Sequence, residues 1–165
     1  MVAGAPFKAS ENDYDWLGRG IYFWEFGYDR AQSFAWGKHG SSKRPKAVGA
    51  LIQLGRCFDL LDRNFTRALE AAFPSFEQAM RAKRWELPKN DGKTPDKKLR
   101  RLDCAVLNWY LAFSEKQGDR YDTVRGCFSE GNPVFEGSFI HQQAHIQLAV
   151  RNPECILGVF RPSTE

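Results

Sequence analysis

The chain has 165 residues, 42% apolar, 14% aromatic and 27% charged, with a formal net charge of +4. That length fits one domain of ordinary size, and burying about 70% of the unfolded surface lets it hold a core without metal or disulfide staples. The apolar share excludes a disordered tail, no apolar run approaches the ~20 residues of a bilayer-crossing helix, and residues 1–6 lack the charged and apolar regions of a secretory leader.

Leu17-Gly18-Arg19-Gly20 reads as a turn feeding a short apolar strand over residues 21–24. Asp29 offers an N-cap to a short helix through Ala31, Phe34 and Ala35. A Gly-rich basic loop follows over 37–46, and the β-branched and apolar run 47–54, closed by Gly55, has strand length. Asp62 opens a helix with Phe65, Leu69 and Phe73 at spacing four. Pro74 is expected to break it, leaving a second piece with Phe76 and Met80.

A low-complexity Lys/Pro/Asp/Gly stretch occupies 87–98. The clearest helical pattern runs from Asp96 to about Lys116, with an apolar stripe of Leu99, Leu102, Val106, Trp109 or Tyr110, and Phe113, and Gly118 ends it. Residues 121–128 alternate loosely as a strand, and Gly131, Pro133 and Gly137 mark a loop. Residues 145–151 and 155–160 read as two strands joined by Asn152-Pro153. Strands at both ends with helices between them argue for an α+β fold rather than a doubly wound sheet. No G-x-G-x-x-G follows a strand, so a Rossmann site has no basis.

Cys57, Cys104, Cys127 and Cys155 stand far apart with no C-x-x-C pair, and His141 and His145 have no Glu or Cys to complete a ligand set, so no metal is expected. The cysteines read as buried free thiols in a reducing compartment, the cytoplasm. Charge is uneven: residues 81–101 hold nine Lys/Arg and three Asp/Glu, a net +6, leaving −2 on the rest. The segment, with Lys97, Lys98, Arg100 and Arg101 at its end, reads either as a nucleic-acid footprint or as a solvated loop between two helices. Trp85 alone interrupts it, too few aromatics for a base-stacking platform.

The segment Leu17-Gly18-Arg19-Gly20-Ile21-Tyr22-Phe23-Trp24, followed by Arg30-Ala31-x-x-Phe34-Ala35, resembles the Gly-Lys/Arg-Gly-Ile-Tyr-Phe segment of the poly(ADP-ribose)-polymerase-like, or diphtheria-toxin-like, ADP-ribosyltransferases. The family has a small residue nine positions after the tyrosine, where this chain has Ala31. Its last catalytic strand begins with a glutamate eight to nine residues before an apolar pair. Counting back from Cys155-Ile156 reaches Gln147, and outlying families of this superfamily are similar in having glutamine there. The resemblance implies a split β-sheet core over 1–165 with residues 62–117 as a helical insertion.

The activity it implies is NAD-dependent transfer of ADP-ribose onto a macromolecule, nucleic acid or protein, in a toxin, effector or defence setting, with a neutralising antitoxin-type protein as a further partner. NAD is the substrate, and neither metal nor membrane is involved. Cleaving the nicotinamide–ribose bond passes through an oxocarbenium-like ribose. The resemblance assigns Tyr22 to stack the nicotinamide, Gly18 and Gly20 to let the backbone approach it, and Gln147 to hold a ribose hydroxyl. Glutamine brings no negative charge, so Glu130 or Glu136 must swing in if the transition state needs a carboxylate, Glu25 being a poorer candidate.

His145 is a substrate contact or a core residue. Arg125, inside an apolar strand, must face either an NAD phosphate or a structural carboxylate. Arg30 stands where many relatives have a serine near the nicotinamide amide. The loop 131–143 is expected to face the acceptor. Relatives begin with a His-Gly strand, and no His-Gly occurs upstream of Tyr22; the chain is read as an N-terminally truncated or degenerate member. Two rival readings remain: a non-catalytic binding module of the same fold, and a plain nucleic-acid-binding domain working through residues 81–101.

Overall fold

A computed structural model describes residues 7–94 and 97–163. Its main sheet has four strands in the order β1-β7-β6-β3: β1 (Ile21–Trp24), β7 (His145–Val150), β6 (Thr123–Phe128) and β3 (Cys57–Asp59). β7 runs antiparallel to both neighbours, and β3 is parallel to β6. A second, two-stranded sheet pairs β2 (Gly49–Ile52) with β8 (Ile156–Phe160), and a two-residue ladder joins β4 (Asn90–Asp91) to β5 (Leu99–Arg100). The helices are α1 (Tyr28–His39), α2 (Arg63–Ala82) and α3 (Arg101–Lys116). The fold is α+β, as expected, with the last two strands split between the two larger sheets.

Side chains alternate across a strand, so the main sheet has two unlike faces. On one, Phe58, Val124, Phe128 and Ala149 pack with Leu17 and with Leu107 and Leu111 of α3, and Tyr22 abuts this cluster. On the other, Ile21, Leu148 and Val150 meet Cys155, with Ile52 and Ile156 of the second sheet packed alongside. Leu17, Phe58, Val124 and Ala149 are fully shielded from solvent.

Several expectations need correction. Pro74 does not break α2, which runs unbroken from Arg63 to Ala82. The interior proline, which forfeits a helix hydrogen bond and costs roughly 3 kcal/mol, is offset by Phe76, which is buried with its ring 5.8 Å from Trp109 of α3. Asp62 does cap the helix, accepting from the Asn64 backbone N–H at 2.8 Å. α3 begins at Arg101, with Leu99 in β5, and Asp96 lies outside the described residues. Its buried row is Cys104, Leu107, Leu111 and Ser114, with Val106 beside it, while Phe113 is half exposed and stacks on Trp109. α2 meets Trp109 through Phe76 and reaches the cluster around Leu107 and Leu111 through Phe65 and Leu69, so the buried face is centred off the sequence stripe.

Asp29 does not cap α1. Gly27 stands at that position, and Asp29 lies in the first turn, where its charge still favours the helix N-terminus. Nor are all the thiols buried: Cys104 and Cys155 are, Cys57 is half-buried and Cys127 is exposed. Among the described residues no helix is long and apolar enough to cross a membrane, and no group of three or more His, Cys, Asp or Glu is placed to hold a metal.

Candidate functional site

The register of β1 against β7 sets Tyr22 opposite Ala149 and Trp24 opposite Gln147, while β6 sets Phe128 opposite His145. Alternation then puts Tyr22, Trp24, Phe128, His145 and Gln147 on one face. At the end of that face a compact polar cluster is walled by aromatic rings. The His145 side chain is only 4% exposed. Its ring centroid lies 6.1 Å from Trp16, 6.1 Å from Phe128 and 6.5 Å from Trp24.

The hydrogen bonds of His145 fix its tautomer. Nδ1 is 2.6 Å from the Gln143 carbonyl oxygen, which can only accept, so Nδ1 carries the proton. Nε2 is then the acceptor for the Gln147 side-chain N–H at 2.8 Å. That bond turns the Gln147 amide so that its Oε1 is left to accept from a ligand hydroxyl.

Glu130, almost buried, lies 3.9 Å from His145 Nδ1. Its two oxygens are held separately: Oε2 by Arg30 at 2.6 Å and Oε1 by Lys98 at 2.8 Å. Lys98 is 54% exposed on its side chain, whereas Arg30 is 25% exposed, so the lysine is the partner that can leave. Trp16 Nε1 donates to the Lys98 carbonyl at 2.9 Å, and Arg100 lies over the rings of Trp16 (4.3 Å) and Phe128 (5.0 Å). Trp24 Nε1 and Arg30 Nε are buried without an acceptor among the described residues.

Burial pushes the His145 imidazole below its ordinary value, with Arg30 acting in the same direction against the Gln143 carbonyl and Glu130. The ring is therefore neutral at pH 7. The unfolded chain takes up the proton first as pH falls, so this contribution to stability is complete above about pH 6.5 and declines below it, by at most about 1.4 kcal/mol per pH unit. A urea midpoint that drops between pH 7.5 and 5.5, and drops less in His145→Asn, is the expected result.

Five of the expected site residues, Arg30, Lys98, Glu130, His145 and Gln147, thus meet in one cluster, with Arg100 at its rim. Others lie elsewhere. The Tyr22 hydroxyl donates to the Gly18 carbonyl at 2.7 Å and accepts from the Leu17 N–H at 2.8 Å, its ring against the core. Burial holds its hydroxyl far above the usual tyrosine range.

Gly18 has φ +72°, and a Cβ there would come within 2.6 Å of Asn108 Oδ1; one at Gly20 would meet Ala149 Cβ at 3.0 Å. Both glycines thus serve close packing inside the fold. Glu136 is exposed on the 131–143 loop. Lys97 is exposed, and Arg101 pairs with Asp13 at 3.1 Å.

Arg125 settles on carboxylates: Glu25 takes its Nε and Nη2 at 2.7 and 3.0 Å, and Asp59 takes Nη1 at 3.0 Å. With Ala31, Arg125 and Glu25 line a cavity of about 800 Å³ on the opposite side of the sheet, walled by Phe23, Ile52, Leu148 and Phe160. Trp16 and Trp24 were not among the expected site residues. Trp24 lies two positions after Tyr22 and so shares its strand face, a signal present in the sequence; Trp16 reaches the site only through the turn that follows it.

The chain matches no family model, no curated protein and no solved structure.

Proposed function

We propose that the chain is an NAD-dependent ADP-ribosyltransferase with the split-sheet core of that superfamily, acting on a macromolecular acceptor. The observation that carries this reading is the chain of contacts Gln147–His145–Glu130. The resemblance puts glutamine where a glutamate is usual, and a carboxylate from the preceding loop stands one imidazole away from it. The two donors that lack acceptors among the described residues, the aromatic walls and the amide oxygen of Gln147 complement a ligand bearing a flat ring, hydroxyls and phosphate oxygens. NAD is such a ligand.

In this reading Gln147 accepts from a ribose hydroxyl, and His145, neutral and fixed in one tautomer, orients it. The glycosidic bond breaks with its electron pair passing to the nicotinamide nitrogen, and the ribose carbon bonds to the acceptor. Glu130 stabilises the positive charge that develops on the ribose and takes the acceptor's proton. While Lys98 remains on it, Glu130 sits among an excess of positive charge, so Lys98 must move away. Tyr22 is the turn's anchor in this arrangement, and stacking of the nicotinamide falls to Trp24 or Trp16.

The test is nicotinamide release from NAD with RNA, DNA and cell lysate each offered as acceptor. Gln147→Ala is expected to lower release by about 10²-fold, the scale of one lost positioning contact at a reacting centre. An unchanged rate in that variant, or no release with any acceptor, sinks the proposal.

A further inference from the structure

We infer that the acceptor of this site is a single-stranded nucleic acid, held between the phenylalanine-tipped hairpin of residues 131–143 and the basic segment of residues 97–101. The inference rests on the transferase reading for the word acceptor, but its evidence is separate.

The hairpin is a built structure. Val134 N–H donates to the Ile140 carbonyl at 3.0 Å, Gln142 to Asn132 at 2.9 Å and Gln143 to Glu130 at 3.0 Å. Yet its tip presents Phe135 at 66% and Phe139 at 94% exposure, with Val134 and Ile140 also exposed. Two flat rings held out on a braced loop are not packing residues, and unpaired bases stack on such rings whatever their sequence. On the other side of Glu130, Lys97, Lys98, Arg100 and Arg101 lie within five consecutive residues, and the segment 81–101 carries net +6, a charge that attracts phosphates. Trp85, exposed, is the one aromatic of the basic segment, with Lys83 Nζ 4.6 Å from its centroid. The hairpin adds the two exposed phenylalanines, tied to the basic segment through Glu130.

The two halves join at Glu130. Its backbone carbonyl closes the hairpin and its side chain holds Lys98. A phosphate that takes Lys98 therefore frees the Glu130 carboxylate, so binding of the strand and readiness of the site are linked. A duplex offers phosphates but no unpaired base for the rings. An apolar protein groove suits the rings but brings no anion to the basic segment.

The experiment is fluorescence anisotropy, without NAD, of labelled DNA and RNA strands of about 12 nucleotides, beside the same sequences as duplexes and a labelled apolar peptide. Single strands are expected to bind more tightly than duplexes. Phe135→Ala/Phe139→Ala should weaken the strands about tenfold or more, the scale of lost base stacking. Lys97→Glu/Arg101→Glu should weaken them and flatten their salt dependence. Equal binding of duplex and single strand with the phenylalanine variant unaffected, or binding of the peptide alone, overturns the inference. A chain that releases nicotinamide yet binds no strand overturns this inference alone. One that binds strands and releases none overturns the transferase reading instead.

Discussion

Glu130→Gln is expected to lower nicotinamide release by about 10²–10³-fold, the cost of removing one preorganised charge aimed at a developing charge. The amide keeps the shape and one accepting oxygen, so Arg30, bound at 2.6 Å, retains a partner. What disappears is the negative charge 3.9 Å from His145. Because Glu130 is nearly buried and Arg30 mostly so, the variant also leaves a cation poorly compensated, and losing one partner of a fully buried pair costs about 3–5 kcal/mol. Lys98 is more than half exposed, so its share of that cost is screened by solvent. The rate must therefore be measured well below the variant's melting temperature, with circular dichroism on the same sample. Loss of stability with kcat intact would reduce Glu130 to a structural counter-ion. Glu136→Gln is the control: the residue is exposed on the 131–143 loop, and the variant should match the parent. The two carboxylates were equivalent in the sequence, and only the fold separates them.

That separation shows where the sequence stops being legible. Features set within a few residues could be read: the strand at 21–24, the Asp62 cap, the end of α3 before Gly118, the two strands near the C-terminus. Residues whose role depends on a distant partner could not. Arg30 meets Glu130 across 100 positions, and Trp16 meets Lys98 across 82. Helix α2 passing through Pro74 depends on Phe76 finding Trp109 in another helix. The buried row of α3 lies off the apolar stripe for the same reason, since the sheet and α2 together meet it at Leu107 and Leu111. Arg125 was narrowed by local reasoning to a phosphate or a carboxylate, and the choice lay with Glu25 and Asp59, on other strands or just beyond them. For the site, residue types in β7 were informative because alternation fixes which of them share a face; the loop residue that completes the cluster had no such rule.

Tyr22→Ala should cost up to about 3–5 kcal/mol of stability, the range for truncating a large core aromatic, since its partly buried ring packs on the main core. That is a large part of the 5–15 kcal/mol that holds a domain together. The ring packs against the cluster around Leu17, Phe58 and Leu107, so its loss leaves a cavity in the main core. The hydroxyl adds a second contribution, because it bonds both the Leu17 N–H and the Gly18 carbonyl and so fixes the turn that delivers β1. Tyr22→Phe isolates that part: it keeps the ring and leaves those two backbone groups without this partner, at about 1–3 kcal/mol. The pair of variants decides what Tyr22 does. If its role is to anchor the turn, Tyr22→Phe lowers the urea midpoint, and release of nicotinamide below the melting temperature stays within a few fold of the parent. Trp24→Ala then carries the larger loss of activity. If Tyr22 itself holds the nicotinamide, Tyr22→Ala raises KM for NAD far beyond any effect of Trp24→Ala, even at temperatures where both variants are folded. The resemblance assigns the tyrosine to the ligand; its two short hydrogen bonds to the turn assign it to the fold, and the anchoring outcome is the expected one.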